Sequence, residues 1–232
     1  MSALATAPSS GLKPVAPLWH TLLFLVALAG LAFSSVVFHG LLRFSSSRVP
    51  SYIVSMAAEW LMVGVVAWGA RLGGSSISSL IGEKWAKPSQ FFRDLGIAVG
   101  FFFLSGGVLW LVAHVIHPAR NRNISNLLPD SLAEKYVWIL VALTAGICEE
   151  LMIRGYLQKQ LHAWLKSSPA AVLVQGVLFG AAHAYQGWKN VVLIAVLGIM
   201  LGWLAQLRRN LFPGMIFHFL QDALGGLARG VF

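Results

Sequence analysis

A chain of 232 residues that is 57% hydrophobic and 11% charged departs from soluble domains, in which about 25% of residues are charged. Its net charge of +9 comes from basic residues spread through short polar stretches, which fits anionic lipid headgroups and excludes a nucleic-acid-binding face. The single cysteine, Cys148, rules out an intrachain disulfide and any multi-cysteine metal site.

The first sixteen residues, with Ser9, Ser10, Gly11 and prolines, read as a disordered tail, and residues 17–232 as one transmembrane domain. Residues 18–42 hold no Asp, Glu, Lys or Arg. At ~1.5 Å per residue they are long enough to cross a bilayer. The stretch is too long for a signal-peptide core, so it is expected to be a retained helix. Comparable apolar runs cover residues 52–70, 95–116, 136–157, 170–185, 191–207 and 211–228. The fold class expected is all-α, a polytopic transmembrane helix bundle of about seven helices, the fifth and seventh short or interrupted.

Between the second and third runs, Ile77, Leu80, Ile81 and Trp85 fall at helical spacing beside Lys84, Lys87 and Arg93. This pattern suits an interfacial amphipathic helix, with a polar loop as the alternative. Trp19, Trp138, Trp164 and Trp188 near segment ends read as interfacial anchors. A slight excess of Lys and Arg on the side of the N-terminus points to a cytoplasmic N-terminus under the positive-inside rule. The expected location is a prokaryotic plasma (inner) membrane.

Against this apolar background, ionisable side chains need a reason to be present. The fourth segment contains Glu149, Glu150 and Arg154. Glu150 and Arg154 are four residues apart on a helix and can pair, with the acid on the favourable N-terminal side. Glu149 points about 100° away and has no built-in partner, which suits it to act as a general base. The fifth segment contains Phe179 and His183, and the seventh His218 and Asp222, each pair four residues apart. Counted from the segment ends, Glu149, His183 and His218 lie roughly 10–20 Å into a ~30 Å core, so they can converge on one polar cavity. Taken singly, each has a structural alternative: a helix-bridging histidine, or a buried ion pair for Glu150 and Arg154.

Glu59, in the middle of the second segment, either lines that cavity, pairs with Arg154, or bridges helices in neutral form. Gly176-x-x-x-Gly180 and Gly198-x-x-x-Gly202 suit close helix packing. Cys148, beside Glu149, invites a nucleophile reading, but a small buried hydrophobe suits it better. The chain has no H-E-x-x-H zinc motif, no G-x-S-x-G and no pair of aspartates on separate apolar segments.

The order E-E-x-x-x-R, F-x-x-x-H and H-x-x-x-D over residues 149–222 resembles the CPBP family of intramembrane proteases. That family includes the CAAX prenyl endopeptidase and bacteriocin-processing proteins, formerly grouped as "abortive infection" proteins. The resemblance implies an intramembrane endopeptidase whose cavity opens to one side of the bilayer. It implies that Glu149 activates water with help from His183, that Glu150 and Arg154 hold and tune that base, and that His218 and Asp222 stabilise the oxyanion. Phe179 and Glu59 are candidates for lining the substrate cavity.

Many relatives have Asn where this chain has Asp222. An ionised Asp cannot donate a hydrogen bond, so Asp222 either carries a proton or orients His218 by accepting from its ring. The glutamate mechanism needs no cofactor. The alternative is a Zn²⁺ ion held by Glu149, His183, His218 and Asp222. The expected partners are the lipid bilayer and a membrane-tethered substrate, whether prenylated, a peptide precursor or a protein with a C-terminal sorting signal. Two non-protease readings compete: a bacteriocin-immunity or scaffold protein, and a transporter using Glu59, Glu149 and Arg154.

Overall fold

Arg48 and Glu134 set two helices side by side at one end of the molecule. In the computed structural model, which describes residues 13–41, 47–118 and 127–228, the Arg48 backbone N–H donates to Glu134 Oε1 at 2.8 Å and its guanidinium to Oε2 at 3.1 Å. Glu134 also accepts from the backbone of Asp130 and Ser131, while Ser131 Oγ accepts from the Glu134 N–H, closing a capping box. One turn further on, the rings of Tyr52 and Trp138 meet edge to face at 5.4 Å. The two helices that start here, α2 (Val49–Leu72) and α5 (Leu132–Leu165), therefore run in the same direction.

The remaining elements are α1 (Leu18–Leu41), α3 (Ile77–Ile81), α4 (Pro88–Ile116), α6 (Ser168–Ala182), α7 (Trp188–Arg208) and α8 (Phe212–Leu227). The fold is all-helical among the described residues, with one isolated bridge between Gly82 and Asn210. Among the described residues four helices, α2, α4, α5 and α7, are long and apolar enough to cross a membrane. The chain is an integral membrane protein. A helix covers each of the seven apolar runs, but α6 and α8 have only 15 and 16 residues. At ~1.5 Å per residue that falls short of a ~30 Å core.

No single amphipathic helix fills the stretch between the second and third runs. Instead, α2 continues to Leu72, the five-residue α3 starts at the Ser76 cap, and α4 begins at Pro88. Gly82 ends α3 at φ 94°, a conformation that favours glycine. Trp85 is thus not on a helix face. It stacks on Phe212 at 4.1 Å and donates to Asp94 at 2.9 Å. Asp94 is fully buried and also pairs with Arg93 and Arg208.

Of the proposed tail, residues 1–12 lie outside the described residues. Val15 and Ala16 are buried, and Ala16 exchanges two hydrogen bonds with the Gln160 amide on α5.

One apolar core gathers Phe24, Val66, Leu80, Cys148 and Met152 around α5, and a second joins Ala98, Phe101, Leu201 and Phe217 from α4, α7 and α8. Burial of Cys148 inside the first core suits the small-hydrophobe reading. The outer surface is apolar as well, with Leu61, Phe103 and Val115 more than 70% exposed. In water such a surface would be a liability, whereas lipid is its natural solvent.

Candidate active site

The site begins where α5 changes its winding. From Glu150 to Leu157 the helix widens into a π-helical stretch, and all eight residues of it are buried. Departures of this kind concentrate at functional positions, because the wider turn re-aims side chains. Glu149 precedes it with its side chain 20% exposed, whereas the Glu150 side chain is 1% exposed. The two adjacent acids thus face different surroundings.

Glu150 is the hub. Its Oε1 accepts from Arg154 at 2.9 Å and from His218 Nδ1 at 3.2 Å. A carboxylate paired with arginine only accepts, so His218 must carry a proton on Nδ1. Gly214, one turn before His218 on α8, leaves room for the carboxylate: a Cβ there would lie 2.8 Å from Glu150 Oε2.

Arg154 is held by three contacts, the first of them Glu150. Its second amino group donates to the Gly198 carbonyl at 3.2 Å, and its guanidinium lies 4.4 Å over the Phe179 ring. Gln175 donates to the same carbonyl at 2.8 Å. The Gly198 backbone can come this close because α6 and α7 touch nearly backbone to backbone. A Cβ on Gly198 would stand 3.1 Å from Gly176 Cα.

With Nδ1 committed, His218 turns Nε2 toward two further acids. Glu149 Oε2 lies 3.7 Å away and Asp222 Oδ2 3.6 Å away. Both separations exceed a direct hydrogen bond and fall within ion-pair range. Asp222 is itself held in place, because its backbone carbonyl accepts from Trp138 Nε1 on α5 at 2.8 Å.

His183 occupies a different setting from the one its segment predicted. Helix α6 ends at Ala182, and His183 is its C-cap, followed by a short 3-10 turn, Ala184–Gln186. Its Nδ1 donates to the Phe179 carbonyl at 2.8 Å, satisfying a last-turn acceptor that the helix leaves open. Its ring also packs on Phe179 at 4.9 Å. Among the described residues no ion pair joins His183 to Glu149, although His183 does act electrostatically on Asp222.

Glu59 reaches the site from α2, within the electrostatic range of Glu149, His218 and Asp222. Among the described residues no ion pair joins it to Arg154. Tyr185, absent from the sequence-derived set, also lies within range of Glu149, Asp222 and Glu59, and its ring is 5.9 Å from that of His183. Its place two residues after His183 was the one signal available. Gln175, Gly198 and Gly214 were likewise missed, since they act through packing and backbone groups that carry no motif.

Of the alternative zinc set, His218 lies near Glu149 and Asp222, and His183 caps the end of α6. Among the described residues no three His, Cys, Asp or Glu side chains are grouped as metal ligands would be. Each imidazole donates from Nδ1 within the protein and keeps Nε2 for the site.

Residues 131–224 match a family model described as Rce1-like, type II CAAX prenyl endopeptidase Rce1-like. The match covers less than half of the chain and supports a likeness to CPBP membrane proteases. The matched segment holds Glu149, Glu150, Arg154, Phe179, His183, Tyr185, His218 and Asp222, while Glu59 lies outside it. No curated protein and no solved structure shows a significant match.

Proposed function

We propose that the chain is an intramembrane endopeptidase that hydrolyses a peptide bond in a membrane-tethered substrate by a Glu- and His-activated water. The observation that carries this reading is the placement of His218. One nitrogen is locked by the Arg154–Glu150 pair, and the other faces Glu149 at 3.7 Å and Asp222 at 3.6 Å.

In this mechanism a water is held beside Glu149 Oε2 and within reach of His218 Nε2. Glu149 takes its proton as the oxygen attacks the scissile carbonyl. The negative charge that develops on the carbonyl oxygen is stabilised by a proton on His218 Nε2, with Asp222 orienting the ring. Glu150 and Arg154 keep the imidazole fixed so that no reorganisation is needed at the moment of reaction. His183 donates from Nδ1 to Phe179, so Nε2 is the atom it offers to the substrate or to a proton in transit. Phe179 packs between Arg154 and both histidines and forms an apolar wall.

The family description supports a substrate of CAAX type, in which the bond to be cut lies near a lipid-bearing cysteine. A site within an apolar bundle suits such a substrate, because the lipid chain stays in the bilayer while the peptide enters.

The test compares purified wild type with Glu149→Gln, Glu149→Ala, His183→Ala and His218→Ala on a library of membrane-anchored peptides. Cleavage by wild type and its loss in the Glu149 variants is expected. A wild type that cleaves nothing, together with a Glu149→Gln protein that keeps full biological function, overturns the reading in favour of a non-enzymatic membrane protein.

A further inference from the structure

The mechanism above leaves one buried acid without a task. Glu59 Oε2 is buried and makes no hydrogen bond. An unpartnered carboxyl oxygen at membrane depth is costly to keep unless something uses it.

The register of the helices places Glu59 at the reaction centre. Arg48–Glu134 and Tyr52–Trp138 pair at the same sequence offset of 86. Carried along the parallel helices, that offset sets Glu59 level with Ala145, one turn before Glu149. Glu59 is seven residues, about two turns, after Tyr52, so it is on the same face as the ring that meets α5. Helix α8 runs the opposite way along α5, with Asp222 at Trp138 and His218 at Glu150. Ala145 therefore falls between the levels of Asp222 and His218. The titratable groups that Glu59 faces are Cys148 and Glu149 from α5, His218 and Asp222 from α8, and Tyr185 from the 3-10 turn.

We infer that Glu59 is the proton donor to the departing amine, a catalytic residue supplied by α2 from outside the family motifs. The inference rests on the endopeptidase reading above. Amide hydrolysis needs two proton transfers, one from the attacking water and one to the departing nitrogen, and Glu149 is placed for the first. Water adds its oxygen to the carbonyl carbon and gives one proton to Glu149. When the C–N bond breaks, Glu59 gives its proton to the nitrogen, which leaves as an amine, and the acyl part leaves as a carboxylic acid. The proton on Glu149 then returns to the Glu59 carboxylate through an intervening water, and the site is reset with one water consumed.

The experiment uses the full-length protein and two substrates with the same membrane-anchored acyl part. One ends in the scissile amide, the other in an aryl ester whose phenolate leaves without a proton. Glu59→Gln keeps shape and polarity but cannot transfer a proton. It is expected to lower kcat on the amide by about 100-fold or more and to leave ester hydrolysis close to wild type. That retained ester activity also reports a folded site. Glu59→Asp is expected to recover part of the amide rate, and Glu149→Gln to lose both activities. A Glu59→Gln enzyme that cleaves the amide at the wild-type rate overturns the assignment, and so does one that loses amide and ester equally. If wild type cleaves neither substrate, the endopeptidase reading falls and this one with it.

Discussion

Glu150 and His218 are 68 residues apart in sequence and 3.2 Å apart in space, joined through the same carboxylate oxygen that Arg154 grips at 2.9 Å. This single oxygen ties α5 to α8 and sets the ring that faces Glu149. The pair is buried, so its members depend on each other. Removing one partner of a buried pair leaves an uncompensated charge and costs about 3–5 kcal/mol. Arg154→Ala is expected to destabilise the protein by that order and to abolish activity, seen as a lower unfolding midpoint in detergent. A midpoint equal to wild type would show that Arg154 does not carry the pair.

Gly214→Ala tests the hub without touching a charge. A Cβ at this position would meet Glu150 Oε2 at 2.8 Å. The carboxylate is held by Arg154 and His218, so it cannot swing away without loosening one of them. A shift of about 1 Å in the ring costs roughly 100-fold in rate. The expected result is a large fall in kcat with a folded protein, measured on a membrane-anchored peptide. Wild-type kcat in this variant would mean that the carboxylate position is not critical.

A second buried network lies away from the chemistry. The Tyr156 hydroxyl bonds His20 Nδ1 and Thr21 Oγ1, both at 2.8 Å, while His20 Nε2 donates to the Val65 carbonyl at 3.0 Å. Because Nε2 must donate to the carbonyl, Nδ1 accepts from the tyrosine, and the hydroxyl accepts from Thr21. Tyr156→Phe leaves His20 Nδ1 unsatisfied, a loss of about 1–3 kcal/mol. Thermal unfolding should show it, with kcat per folded molecule unchanged. A stability equal to wild type would argue that the α1–α2–α5 link is incidental.

Metal removal separates the two hydrolytic chemistries. The acids and histidines do not group as a ligand set among the described residues, so activity is expected to survive exhaustive chelation. Loss of activity on chelation and its recovery with Zn²⁺ would replace the water-on-glutamate mechanism by a metal one.

Local spacing made part of this legible from the chain alone. The apolar runs announced helices, because a backbone in lipid must satisfy its own hydrogen bonds. The four-residue step from Glu150 to Arg154 announced an ion pair, because one helical turn brings those positions together. The limits were also physical. Pattern cannot show that α6 stops at Ala182, since His183 acts there as a cap through its side chain. Nor does it show the break between α2 and α4, where glycines and Pro88 divide what spacing had joined into one amphipathic helix.

Sequence by itself determined that this is a membrane-embedded helical protein and which short motifs hold its unusual charges, since both depend on composition and on neighbours within one helix. Only the tertiary structure decided which charges meet. It set His218 rather than His183 at 3.7 Å from Glu149, and it brought Glu59 from α2 to the same centre. Those relations depend on the register between helices far apart in the chain, which follows from packed surfaces and cap contacts such as Arg48–Glu134 and not from the period of any single segment.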